Sequence, residues 1–510
     1  MLALLGFVCV IVGARWWLIG HYGNPVPYWD QWDGEAATLY APFASGTLTW
    51  AGLIEPHNEH RILTTRLYAL GLYVANGQWN PLLQMAANAL VLAAVLVAIT
   101  GWLGRALQAG SRVALCIFCA AFFSVPFSWE NTLAGFQTQF YFNLLFSFTA
   151  LWLLLTRRAV SLGWWAGAAA AVLAYFSLAS GVFALAAAIP VLVLQGLAGR
   201  AARGGSDGGV GSTGAGDLFR PPADRFLAAL LLAVLFAAGY AFTPEIAQNA
   251  AIKAHSAADL VHALKSVLSW PHRGRWLPVV LLNLPALLFV VMLWRRRKAG
   301  IDAGSWFLLG VLIWVAGQAL ALAFGRAAIV RSPRYLDLFA MGTVANFTCL
   351  LWCLQRAPRL TRLARRVVVA LWLAYLAVGM ARQAGEIHQE LDAKRRTSEV
   401  QLANVQGYLV SGDPAYLYGK AMLDIPYPRA DRLQQLLDDR QVRRILPAAV
   451  VAPASPGREP GRFDSVLDWL LAHAYLVILL GALFTAAAMG AAGKVRRSAG
   501  INRNNPWESP

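Results

Sequence analysis

Asp30 and Asp33 are the first carboxylates in the chain, and they come shortly after an apolar run of residues 2–20. On a helical turn, side chains three apart share a face. Two carboxylates crowded at a low-dielectric boundary raise one another's pKa, which suits a general base or a metal ligand. The plainer reading is an interfacial turn with Trp29 and Trp32 as belt aromatics and both acids solvated. Acids at the mouth of a membrane cavity are expensive to keep without a partner, which favours the chemical reading.

Three further stretches have the same character. In Glu55-Pro56-His57-Asn58-Glu59-His60-Arg61, five ionisable groups occupy seven residues. With a helix beginning at Pro56, His57 and His60 would lie one turn apart and could share a cation. The spacing is not HExxH, so a zinc-protease reading lacks its ligand pair. His57, Glu59, His60 and Arg61 are therefore expected as substrate contacts, with a divalent cation left open. Alternatively, the run is the polar start of an amphipathic helix, 62–77, lying in the interface. In SWENTLAGFQTQFY (128–141), Glu130 supplies another acid and Asn131 stands beside it, while Gln137 and Gln139 enter an apolar helix. Such amides need partners, either across helices or on a polar ligand. In GRAAIVRSPRYL (325–336), Arg326, Arg331 and Arg334, followed by Tyr335, form a basic group. The arginine fork matches phosphate oxygens. His272, Arg273 and Arg275 form a second basic group. The competing reading for both is snorkelling to lipid head groups.

The elements that must position these residues are membrane helices. The chain is 58% hydrophobic and only 14% charged, against about a quarter charged in soluble domains. Runs such as 81–104, 276–294, 304–324 and 467–489 reach the roughly 18–20 residues needed to cross a bilayer. In lipid they must be helical to satisfy their backbone. An all-α polytopic membrane protein with about 12 transmembrane helices is expected, at 2–20, 81–104, 112–127, 139–156, 162–178, 181–198, 226–243, 276–294, 304–324, 337–355, 367–382 and 467–489. With the N-terminus inside, Arg105 and Arg112, Arg157-Arg158, Arg295 to Lys298, Arg356 to Arg366, and Lys494, Arg496 and Arg497 all fall on cytoplasmic turns. That is the positive-inside pattern, and it leaves both termini cytoplasmic. It also absorbs the net charge of +17, and no basic patch on a soluble domain suggests nucleic acid.

The first run lacks a basic start and a small-residue cleavage site, so it reads as a retained helix. Residues 204–216 read as a Gly/Ser linker without the Lys-Ser/Thr ending of a phosphate loop. All five cysteines lie in apolar runs; the Cys116/Cys119 pair has no second ligand pair for a metal. The expected organisation is a membrane module over 1–382 containing a polar segment 21–80, a lid or cap over 383–466, and a last helix with its tail over 467–510. Two helical patterns, 386–407 and 431–441, lie within the cap.

This layout, together with HNEHRI (57–62) and ENTLAGFQTQF (130–140), resembles the GT-C superfamily of membrane glycosyltransferases. The resemblance is carried by the first 150 or so residues and the general arrangement. It implies a bacterial inner-membrane enzyme with interfacial helices in its first periplasmic loop. Such an enzyme moves a sugar from a polyprenyl-phosphate-linked donor to a glycan, lipid or protein acceptor on the periplasmic side, usually with inversion. It implies that a first-loop aspartate is the base, here Asp30 or Asp33, with Glu130 as a further catalytic acid. Arg331, Arg334 or a cation would stabilise the departing phosphate. The adjacent Asp-Glu pair of several such families is replaced by Asp-x-x-Asp, so the base is open between the two. A polymerase or ligase using a diphosphate-linked donor, and a non-enzymatic lipid or glycan transporter, are the alternatives. Reporter fusions check the frame: fusions within residues 21–60 should report an extracytoplasmic position, and cytosolic signals there would sink the scheme.

Overall fold

The computed structural model describes residues 2–204, 222–297, 300–454, 457 and 459–501. The Gly/Ser linker lies almost wholly outside the described residues, as does Lys298. Among the described residues the chain is helical and contains no strand. Among the described residues nine helices are long and apolar enough to cross a membrane, and the chain is a multi-pass helical membrane protein. A tenth crossing would be the pair Asp464–Ala472 and Ala474–Ala488, bent by 61°. The two other expected spans form the shorter apolar helices Ala109–Ser124 and Leu162–Tyr175. Their 16 and 14 residues give about 24 and 21 Å at 1.5 Å per residue, short of a core of about 30 Å.

Side-chain contacts sort the connections into two groups. At one end, Gln355 donates to the Ala106 carbonyl at 3.1 Å, Arg356 pairs with Asp302 at 3.4 Å, and Arg296 donates to the Arg356 carbonyl at 3.2 Å. At the other end, residues 21–80, 128–137, 244–275, 325–336 and 383–466 meet one another. Asn249 donates to Glu59 at 2.8 Å, Arg334 pairs with Glu130 at 2.6 Å, and Arg273 pairs with Glu386 at 3.2 Å. The turn after Leu162–Tyr175 also belongs here, since Thr64 donates to Ser177 at 2.8 Å.

The first and last helices pack closely because glycine recurs every seven residues, at Gly6, Gly13 and Gly20. A β-carbon on Gly13 would lie 2.7 Å from Ile478, and one on Gly20 would lie 2.9 Å from the Leu471 carbonyl oxygen. Small residues in this position let two membrane backbones approach.

The expected cap is continuous with a membrane helix. Arg362–Ser411 is one helix of 50 residues, about 75 Å long, where separate helices over 367–382 and 386–407 were expected. A change from apolar to charged residues alters the surrounding medium, not the backbone preference. No proline interrupts the run, and it ends only at Gly412, in the left-handed region with φ +70°. This is the conformation glycine adopts without strain. The expected 431–441 helix is two, Ala430–Asp438 and Arg440–Ile445, separated at Asp439.

Beyond the bundle is a second apolar core. Val26, Trp32, Leu39, Tyr40 and Trp79 from the first polar segment pack with Val405, Leu433, Leu437, Ile445 and Val450 from the cap. Two polar ties flank it. Arg432 donates twice to Asp33 Oδ1, at 3.0 and 2.7 Å, while Tyr427 donates to the other carboxylate oxygen. Asp464 accepts from Asn76, Gln78 and Asn80 at 3.2, 3.0 and 2.8 Å. Arg432→Ala should loosen the cap. A half-exposed pair contributes about 1 kcal/mol, so proteolysis within 412–452 should rise roughly fivefold, which a limited-digestion time course would read.

Candidate functional site

Trp29 sits in the left-handed region at φ +49°, which a bulky residue adopts only when its surroundings enforce it. Its N–H donates to the Pro426 carbonyl at 2.8 Å, so the cap fixes the chain just before Asp30. Residues 30–31 are helical and lead into a nine-residue π-helical stretch, Trp32–Tyr40. The i→i+5 bonding of a π-helix widens each turn, and the expected common face for Asp30 and Asp33 is lost. Asp30 faces His57, with Oδ1 3.4 Å from Nε2, whereas Asp33 faces Arg432 and Tyr427 of the cap. Gly34, between them, lets Phe136 and His57 approach: a β-carbon there would lie 2.7 Å from the Phe136 ring and 3.3 Å from His57.

The expected helix from Pro56 is not formed. His57 and His60 instead close a tight turn, exchanging backbone bonds of 2.8 and 3.0 Å, with Asn58 at φ +52°. Asn tolerates that region because its short polar side chain bonds locally. The turn sends its side chains to different partners. His57 meets Asp30. Glu59 pairs with Arg326 and accepts from Asn249. His60 Nδ1 lies 3.4 Å from the Ala179 N–H. Burial, helped by the Arg326 and His57 charges against that of Glu59, pushes His60 down to about 4, so it is a neutral imidazole at neutral pH. Arg61 donates to the Ile54 carbonyl at 3.1 Å and so serves the end of the short helix Trp50–Ile54. Among the described residues no group of three His, Cys, Asp or Glu side chains could hold a metal ion.

Glu130 is brought to the same place by the second connection. It accepts from Arg334 at 2.6 Å and from Ser332 at 3.1 Å. Asn131 lies just beneath, donating to the Arg334 carbonyl at 2.9 Å and to buried Asp337 at 2.8 Å. Ser128 completes the Asp337 carboxylate at 2.8 Å. Asn131 therefore organises the helix start that carries Arg334. Gln137 accepts from Gln139 at 3.2 Å, a helix-entry contact. Tyr335 is buried against Phe140. Arg331 donates to the His272 carbonyl, placing it with Arg273 and Glu386 and apart from Asp30.

Asp30, His57, Glu130 and Arg334 thus converge from three separate connections, while Asp33, Arg331 and Arg61 do not join them. Burial pushes the Asp30 carboxyl up, but the neighbouring His57 imidazole, with the Arg334 charge, outweighs it and holds Asp30 below the usual range. The Asp30 and Arg334 side chains remain 35% and 30% exposed, so the cluster is open to solvent. A distinct small cavity of about 30 Å³, lined by Trp270, Asn283, Gln318, Asn346 and Trp372 among others, holds none of the expected site residues.

Two neighbouring groups escaped sequence reasoning. Tyr28 stands two residues before Asp30, its face covered by the Lys394 ammonium 3.4 Å from the ring centroid. Glu35, two residues after Asp33, is fully buried and accepts from Gln31 at 2.9 Å and Gln84 at 2.8 Å. Its place in PYWDQWDGE could have marked it. Burial raises Glu35 to about 7 against the two amide donors.

No family model and no curated protein matches the chain.

Glu35 gives a signed pH dependence. Its folded value lies above the unfolded one, so its stabilising effect is complete below about 4.5 and is lost as pH rises through about 7. The span corresponds to roughly 3 kcal/mol at 1.36 kcal/mol per unit. Unfolding midpoints in detergent should fall for the native chain between pH 4 and 8, with that fall largely absent in Glu35→Gln.

Proposed function

We propose that this protein is a membrane glycosyltransferase that moves a sugar from a polyprenyl-phosphate-linked donor to an acceptor hydroxyl. The observation that supports this most is the meeting of Asp30, His57, Glu130 and Arg334 at one solvent-open point beside the bundle. Inverting transfer needs a base on the attacking hydroxyl and positive charge near the departing phosphate. In this reading Asp30 takes the hydroxyl proton as the acceptor oxygen bonds to the anomeric carbon. The bond from that carbon to the phosphate oxygen breaks, and the polyprenyl phosphate leaves as an anion. His57 orients Asp30. Arg334, oriented by Glu130, turns part of its guanidinium toward the leaving group.

The same reading sets the protein in a bacterial inner membrane with twelve crossings, the two short helices and the bent pair included. Both termini are then cytoplasmic, and the end carrying residues 21–80 faces outward. The contacts that divide the connections into two groups favour this alternation. Asp33 is assigned to holding the cap, because Arg432 and Tyr427 already occupy its carboxylate. The departure from an adjacent Asp-Glu pair is thereby read as a division of labour between base and latch.

Transfer of labelled sugar in membranes tests this. Asp30→Asn should lose at least 100-fold in turnover, the lower range for removal of a general base, and Asp33→Asn should lose less than tenfold. Full activity in Asp30→Asn would remove the base from the mechanism.

A further inference from the structure

The arginines that the sequence offers to a phosphate are largely committed to protein partners. Arg326 is paired with Glu59, Arg334 with Glu130, and Arg331 donates to a backbone carbonyl. A carboxylate partner offsets part of the charge that such a cation, Arg334 included, can bring to an incoming anion, so a second cation is of use beside it. Lys394 differs. It lies on the stretch of the Arg362–Ser411 helix that extends beyond its apolar part, and it is half-buried. Among the described residues it forms no ion pair within 4 Å; its contact is the ring face of Tyr28. Tyr28 in turn lies within the electrostatic reach of Glu130, Arg334 and Asp30. The helix thus carries a cation into the cluster from a fourth direction.

We infer that Lys394 is a second anion-receiving group of this site, beside Arg334, binding an oxygen of a phosphate monoester at the head of a lipid. A compact ammonium with three donors suits a single phosphate oxygen approached from solvent, and the Tyr28 face holds the side chain ready while it waits. The groups facing Lys394 are Tyr28 from the first segment and Glu130 from the second connection, with Asp30 and Arg334 beyond them. On its own helix Glu390 lies one turn away and is engaged by the Trp129 indole at 2.7 Å. Burial outweighs the Glu130 charge and lowers Lys394 to about 7. Binding an anion therefore draws in a proton near neutral pH, and affinity for a phosphate dianion falls as pH rises above that value. This assignment deepens the transfer reading above and rests on it only for the identity of the lipid.

The test is direct binding of geranylgeranyl monophosphate to the full-length protein in detergent, from pH 6.5 to 8.5. Geranylgeraniol, inorganic phosphate and vesicles containing phosphatidic acid serve as comparisons. The unmodified protein should lose affinity about tenfold across that range and should ignore geranylgeraniol. Lys394→Gln should bind at least tenfold more weakly at pH 6.5. Lys394→Arg should restore binding and remove most of the pH dependence, since its charge persists. Unchanged affinity in Lys394→Gln, or a flat profile in the unmodified protein, overturns the assignment, and the second result needs no variant to fold. Equal capture by phosphatidic acid vesicles would assign the site to membrane phosphate head groups instead of an isoprenoid carrier. Phosphate binding that depends on Lys394 without any sugar transfer would keep this inference and remove the transferase reading. Transfer that depends on Asp30 but ignores Lys394 would do the reverse.

Discussion

A carboxylate at the edge of a membrane must find a cation or several donors, because leaving it unpaired at low dielectric costs several kcal/mol. The acids of the connecting segments obey this constraint through partners distant in sequence. Asp30 meets His57, Asp33 meets Arg432, Glu59 meets Arg326, Glu130 meets Arg334, and Asp464 meets three amides of residues 76–80. All but the Asp30–His57 pair, which lies within the first segment, tie two connections together. The layer beside the bundle is consequently held in register by charge and amide contacts around a small apolar core of its own.

The same constraint divides the ionisable groups by task. Buried Arg15 in the first helix donates to Thr132 at 3.2 Å and to the Phe123 carbonyl at 2.9 Å, and Asp337 is closed by Ser128 and Asn131. These groups fix the floor beneath the cluster. Asp33 and Asp464 fasten the cap and the last helix. What remains part-exposed and incompletely bonded is the Asp30–His57 approach, the outer face of Arg334 and the ammonium of Lys394. In a site meant for an anionic substrate, those are the groups that retain the capacity to bind one. His60, held neutral by burial, adds no charge there.

Much of this was legible from residue types. Apolar runs located the helices, since spanning a bilayer imposes both length and composition. Paired acids, the His57–Arg61 run and Glu130 marked the right connections, because ionisable groups in so apolar a chain need a reason to be there. The continuous helix through residue 382 was not legible, as charge pattern speaks of medium and not of backbone. Nor was the fate of Asp33: its spacing from Asp30 suggested one face, and a π-helical turn, with Arg432 some 400 residues away, decided otherwise. Lys394 lies within the charged pattern of 386–407, where nothing in its residue type or spacing sets it apart from its neighbours.

The sequence by itself determined that the chain is a bundle of membrane helices with its ionisable groups gathered in a few connections, because hydropathy and local charge are properties of short segments. Only the tertiary structure decided which acid faces which cation, which of the arginines are already neutralised, and that a lysine from the cap helix enters the cluster. Those outcomes depend on distances between side chains tens to hundreds of residues apart, and no local pattern encodes them.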